Sequence, residues 1–179
     1  MNLIQRYYIN RRLLHFVKER KTEQTKISPF DTLKDICVMA TYQEEKMYKE
    51  LMEGIDFLEE KGKKVFLMCY LPKRKIPEIM ENKLDISFVY KKDIHFIGSI
   101  SSHAQQELSR QHYDLFIDAD AHCDALGLYM KSFIHADLRV GRNKQCYDYY
   151  DLTLCVDGTF SIKEYFLNIE TYITKLQGN

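Results

Sequence analysis

Four apolar runs of strand length constrain this chain more than any other feature: "ICVMATY" at 36–42, "KVFLMCYL" at 64–71, "YDLFID" at 113–118 and "ADLRVG" at 136–141. The first two are too continuously apolar for strands with one wet face, so the set predicts strands covered on both sides. Stretches with helical spacing lie between them. Residues 43–61 set Met47, Leu51, Ile55 and Leu58 on one side and stop at Gly62. Residues 122–134 carry Leu126, Tyr129 and Phe133 in the same way, and 161–176 carry Ile162, Phe166, Ile169, Ile173 and Leu176. A helix over 101–111 opens on a Ser-x-x-Gln capping box, Ser102 and Gln105. Short apolar segments at 86–90 and 94–98 flank the polar "KKD", and 150–156 reads as a last strand. Buried strands alternating with amphipathic helices predict a single three-layer Rossmann-like α/β sandwich with a mostly parallel sheet. That domain spans 33–179. It follows a helical arm at 1–22 and a polar connector at 23–32.

The arm is basic. Residues 1–22 hold Arg6, Arg11, Arg12, Lys18, Arg20 and Lys21 against Glu19 alone. Acidic and basic residues balance over the whole chain at 26 each, so the remainder carries the compensating negative charge. This balance gives no whole-molecule field that would argue for nucleic acid. A basic arm on an acidic body predicts either weak contact with an anionic surface or docking of the arm on its own domain. Leu3, Tyr7, Leu14 and Val17 form its apolar face and are expected to dock it, leaving the arginines outside.

The five cysteines, Cys37, Cys69, Cys123, Cys146 and Cys155, are odd in number and form no C-x-x-C. They predict reduced thiols and a cytosolic protein. No apolar stretch has the length of a membrane span, and the arginines of the arm sit where a signal peptide needs an apolar run.

In a parallel sheet the carboxyl ends of the strands form the binding edge. Four loops are expected there. One follows Tyr42. A second is basic, with Lys73, Arg74 and Lys75. A third carries Gly98, Ser99, Ser101 and Ser102, where a strand passing into a helix start would offer backbone N–H groups to an anion, although the same serines suit ordinary capping. The fourth is "DADAHCD", with Asp118, Asp120, His122 and Asp124. The period of a strand puts Asp118 and Asp120 on one side. Three carboxylates and an imidazole can bind Mg²⁺ or Mn²⁺. They equally suit the start of a helix. With no second set of ligands in view, no tightly held metal is expected, and no cofactor motif is present. The histidines 15, 95, 103, 112, 122 and 135 show no paired ligand spacing; His103 and His122 alone fall near the edge. Thirteen tyrosines are many for this length, and "CYDYYDL" concentrates three of them, as a sugar or base site or a strand interface would.

Residues 113–141 resemble the N-terminal Rossmann-like domain of ADP-heptose-type glycosyltransferases. Tyr113, Asp114, Ile117, Asp118, Ala136, Arg139, Val140 and Gly141 carry the match. In that family the sugar nucleotide is held mainly by a second Rossmann-like domain, for which this chain leaves no room. The resemblance therefore implies a fold and not a catalytic set. The whole chain also resembles an uncharacterised family of short proteins from Bacteroidetes-type bacteria. A strand ending in D-x-D is similar to haloacid-dehalogenase-type phosphatases too, with His122 where those have Thr or Val.

Three functions follow from these features. The first is a binding or regulatory module that takes a small anionic or sugar-phosphate-like ligand on the carboxyl edge. The second is an enzyme, a reduced glycosyltransferase-like transferase or a metal-assisted hydrolase using Asp118 and Asp120. The third is an interaction protein acting through its basic arm.

Overall fold

The computed structural model describes residues 2–22, 25, 27–72, 76, 85–154 and 161–177. Among the described residues six strands form one sheet: β1 (Asp35–Thr41), β2 (Lys64–Leu71), β3 (Ile86–Tyr90), β4 (His112–Asp118), β5 (His135–Gly141) and β6 (Leu152–Thr153). Their order is β3-β2-β1-β4-β5-β6, and every neighbouring pair is parallel. The helices are α1 (Leu3–Thr22), α2 (Glu45–Glu60), α3 (Ser102–Leu108), α4 (Ala125–Lys131) and α5 (Ile162–Gln177).

The apolar runs end up inside because each face of the sheet has its own core. On one face, Ile36, Val38, Leu67, Cys69, Leu115, Ile117 and Leu138 pack with Leu51, Ile55 and Leu58 of α2 and Ile162, Phe166, Ile169 and Ile173 of α5. On the other, Cys37, Met39, Phe66, Met68, Tyr113 and Phe116 pack with α1, α3 and α4. Strands buried on both sides need such a three-layer body. Helices α2 and α5 approach closely at Gly54, where a Cβ would stand 2.9 Å from the Phe166 ring. Leu176, the last apolar position expected of the α5 stripe, is exposed.

Several expectations need correction. Helix α1 docks through Ile9 and Leu13, both buried, with Phe16 and Val17 half-buried. Leu3, Tyr7 and Leu14 face outward. The helix has two apolar sides, and the sheet takes the one whose ends carry hydrogen-bonding groups. Gln5 Nε2 donates to the carbonyl of His95 at 3.1 Å, and Arg20 pairs with Asp151. So Arg20 is not left in solvent with the other arginines.

Residues 94–98 are not a strand. Lys91–Asp93 form a 3-10 turn, Ile94 bridges antiparallel to Ile100, and Gly98 turns the chain at φ +91°. Helix α3 is capped by Ser101, not Ser102: the Ser101 hydroxyl accepts from Ala104 N at 3.3 Å. Helix α4 begins later than expected because the Asp124 carboxylate accepts from Leu126 N and Gly127 N and so fixes its start. His122 therefore precedes the helix. The last strand is limited to Leu152–Thr153: Tyr150, Asp151 and Leu154 are described but not in it, and 155–156 lie outside the described residues.

The thiols are not all reduced. Cys123 and Cys146 form a disulfide, with Cα atoms 6.2 Å apart. Spacing along the sequence gives no sign of it, because the fold alone brings the β4–α4 loop beside the segment that follows β5. Cys37 and Cys69 are free and buried. Among the described residues no helix is long and apolar enough to cross a membrane.

Candidate functional site at the carboxyl ends of β1 and β4

The strand order reverses between β1 and β4. From β1 the chain winds outward through β2 to β3, then returns to β4 on the other side of β1. Loops leaving β1 and β4 thus diverge in opposite directions and open a crevice at the carboxyl edge. The amino ends of the same two strands are pinned together. The Asp114 carboxylate accepts from Lys34 N at 2.6 Å and from Asp35 N at 3.0 Å.

Two aspartates stand on this edge, as their strand-end spacing predicts. Asp118 is the last residue of β4 and is buried. Its Oδ1 accepts from the Lys131 ammonium at 2.7 Å and from Asp120 N at 3.0 Å. Its Oδ2 accepts from the Tyr150 hydroxyl. Asp120 is more open. Its Oδ1 accepts from Thr41 N at 2.7 Å, and its Oδ2 from Thr41 Oγ1 at 3.0 Å and Lys131 Nζ at 2.8 Å. With all three groups ionised, Asp118, Lys131 and Asp120 leave one net negative charge.

The electrostatics follow from burial. Burial disfavours the charged form of Lys131, but Asp118 and Asp120 outweigh it and raise its pKa above the ordinary 10.5. Burial also pushes the Asp118 carboxyl upward, against the opposing pull of Lys131. We take Lys131 as firmly protonated, because two carboxylates lie within 2.8 Å of it. The Tyr150 hydroxyl is driven well above its usual range by burial and by the Asp118 charge, so it stays a donor.

Lys131 and Tyr150 reach this point for structural reasons. Lys131 is the last residue of α4, and Arg139 on β5 holds the end of that helix. Arg139 donates to the carbonyls of Lys131 at 2.8 Å and Ile134 at 2.6 Å, and its guanidinium lies 4.5 Å from the Phe116 ring centre. A buried arginine thus satisfies the Lys131 carbonyl that the helix end leaves open, and one in the turn that follows. Burial in turn lowers its pKa to about 10. The Tyr150 ring crosses the backbone of Gly141, where a Cβ would overlap it. The Cys123–Cys146 disulfide and a bond from Asn143 Nδ2 to the Ala121 carbonyl at 2.9 Å tie the two flanking loops together.

Beside Asp120 lies a narrow crevice lined by Thr41, Tyr42, Met47, Tyr48, Cys69 and Ala119. Its base has room for about one water-sized group. The Tyr48 hydroxyl is buried there without a hydrogen-bond partner. Burial, with the Asp120 charge, pushes the Cys69 thiol up to about 12, so it is no nucleophile.

The other expected site residues are placed elsewhere. Asp124 is occupied as the α4 cap, and His122 is exposed. Gly98, Ser99 and Ser101 belong to the turn under α1, and Ser102 opens α3: a Cβ on Gly98 would stand 3.3 Å from the Gln5 carbonyl. The Ser101 amide and hydroxyl both go to Asp93. Among the described residues no hydrogen bond joins these serines to the Asp118–Asp124 loop. Lys73, Arg74 and Lys75 lie outside the described residues. No group of three or more His, Cys, Asp or Glu side chains among the described residues could hold a metal ion. The Lys131 ammonium stands where a cation between Asp118 and Asp120 would sit.

Lys131, Tyr150 and Thr41 join this site through the fold and carry no motif in the sequence. Lys131 had a usable signal, a lone charge within the apolar run "ALGLYMKSF". Tyr150 was only one of a cluster.

Solved structures share this fold. Over 78% of this chain and 41% of the other, the fold matches a family 9 glycosyl transferase from Veillonella parvula, with TM-score 0.56 and 18% identity. The E. coli heptosyltransferase WaaC, solved with ADP-2-deoxy-2-fluoro heptose, matches over 80% of this chain and 48% of its own, with TM-score 0.55 and 11% identity. The chain spans less than half the length of either, and at such identities the likeness is one of fold. No curated protein matches the chain in sequence. Residues 5–176 match the model of a family of unknown function, DUF6913, and the chain belongs to that family.

Proposed function

We propose that the protein is a glycosyltransferase-like domain whose β1/β4 edge takes a sugar-phosphate-like ligand, with Asp120 as the residue that holds a sugar hydroxyl. One observation carries this reading: the partly exposed carboxylate of Asp120 and Tyr48, whose buried hydroxyl has no partner, line one crevice at the reversal point of the sheet. An ionised carboxylate only accepts, with about four lone-pair positions. Thr41 N, Thr41 Oγ1 and Lys131 Nζ occupy three of those on Asp120. The remaining one suits a ligand hydroxyl, and the space at the crevice base matches a single such group. The ligand rests on the crevice mouth with one hydroxyl inserted.

The net negative charge of the cluster keeps the phosphate away from Asp120. We assign the phosphate to Lys73 and Arg74, because they follow β2 and β2 neighbours β1. The likeness to solved glycosyl transferases supports a transferase over a purely regulatory module, and Lys131 between the carboxylates argues against a metal-assisted hydrolase.

Thermal-shift measurements with hexose phosphates, nucleoside diphosphates and inorganic phosphate test the reading. Millimolar hexose phosphate raises the melting temperature of the wild type, and the shift is lost in Asp120→Asn and reduced in Lys73→Ala/Arg74→Ala. If no sugar phosphate produces a shift, or if Asp120→Asn keeps it in full, the assignment fails.

A further inference from the structure

We propose that the outward face of α1, with the Phe96–Ile97 turn beside it, docks on an anionic lipid surface. Leu3, Tyr7 and Leu14 recur at helical spacing along one side and are 84%, 70% and 63% exposed. Phe96 and Ile97 are also exposed, and Asn2 Nδ2 holds the Phe96 carbonyl at 3.2 Å, which adds this turn to the first turn of the helix. Leu3, Tyr7 and Leu14 together put three large apolar groups in water on one side of the helix, and Phe96 and Ile97 add two more in the turn by its first residues. The opposite side of α1 already carries the packing, through Ile9 and Leu13.

Charge identifies the occupant. Arg11 and Lys18 each stand four residues beyond an apolar member of the stripe, Tyr7 and Leu14, so they lie on the same side. Both are exposed, and Glu19 is the one acid in the first 22 residues. A second copy seated on this face would bring basic side chains against basic side chains. A protein groove deep enough to cover the stripe would have to strip water from the same charges. A bilayer surface does neither. The stems of Arg11 and Lys18 lie along the apolar boundary while their heads reach lipid phosphates, and Leu3, Tyr7, Leu14 and Phe96 enter the headgroup region.

Co-sedimentation of the full chain with vesicles tests this, using neutral phosphatidylcholine alone and the same lipid with about 30% phosphatidylserine. The wild type is expected to pellet with the anionic vesicles at low salt, to bind neutral ones poorly, and to lose binding as salt rises. Arg11→Gln/Lys18→Gln should weaken partitioning roughly twenty-fivefold, from about fivefold per basic residue near the surface. Leu3→Ser/Tyr7→Ser should weaken it comparably, with the melting temperature of both variants unchanged because the sites are exposed. Failure of the wild type to pellet, equal binding to neutral vesicles, or insensitivity to both variants overturns the proposal. So does a concentration-dependent dimer in sedimentation equilibrium that Leu3→Ser/Tyr7→Ser abolishes, since the face would then be a protein interface.

Discussion

Lys131→Met removes the cation between Asp118 and Asp120 and leaves Asp118 buried as an uncompensated charge. Breaking one side of a buried ion pair costs about 3–5 kcal/mol. We expect that loss in urea unfolding, and the double variant Asp118→Asn/Lys131→Met should recover part of it, because both charges then go together. The same lysine gives a pH signature. Its folded pKa is raised above 10.5. Its stabilising contribution is therefore complete below that value and is lost as pH rises beyond it. Wild-type stability should fall more steeply in this alkaline range than that of Lys131→Met. Gly141→Ala drives a methyl group into the Tyr150 ring and pulls its hydroxyl off Asp118. Overpacking of this kind costs about 1–3 kcal/mol, which a thermal melt would register. Asp118 and Asp120 could be found in the sequence because their placement is local, the end of one apolar run. Lys131 and Tyr150 join them only through α4 and the segment after β5, which neighbour spacing cannot reveal.

Helix α1 shows how far periodicity reaches. The stripe of Leu3, Tyr7 and Leu14 is real, but it is the outer one; Ile9 and Leu13 form the inner stripe. A helix apolar on two sides does not say which side its own domain takes, because that depends on polar partners at its ends. Asn2, Gln5 and Arg20 find those partners at Phe96, His95 and Asp151. Ile9→Ala and Leu13→Ala should each cost about 2–5 kcal/mol in equilibrium unfolding, and Leu14→Ala less than about 0.5 kcal/mol. The apolar Ile94, Phe96 and Ile97 suggest a strand leading into the serine helix, but Gly98 and the buried Asp93 set a turn instead. The disulfide is the second feature at this scale. It closes a separation of 23 residues across α4 and β5, so Cys123→Ser, or reduction, should cost about 2–4 kcal/mol. Melting with and without reductant reads this directly, and the shift should vanish in Cys123→Ser.

The all-parallel order β3-β2-β1-β4-β5-β6 decides which loops can cooperate. The layers were legible in the sequence, since doubly apolar strands and amphipathic helices leave few alternatives. Strand order was not, because it rests on pairing between distant segments. That order sets β2 and β4 on either side of β1, while the serine turn lies under α1 on one face of the sheet. A site built from the ends of β1 and β4, where the strand order reverses, is the compact choice. Titration of the isotopically labelled protein with a hexose phosphate, followed by backbone amide NMR, tests that choice most directly. The account predicts saturable shifts centred on Thr41, Tyr42, Tyr48 and Asp120, absent in Asp120→Asn. Shifts confined to α1 and residues 95–102, or no saturable shifts at all, would contradict it.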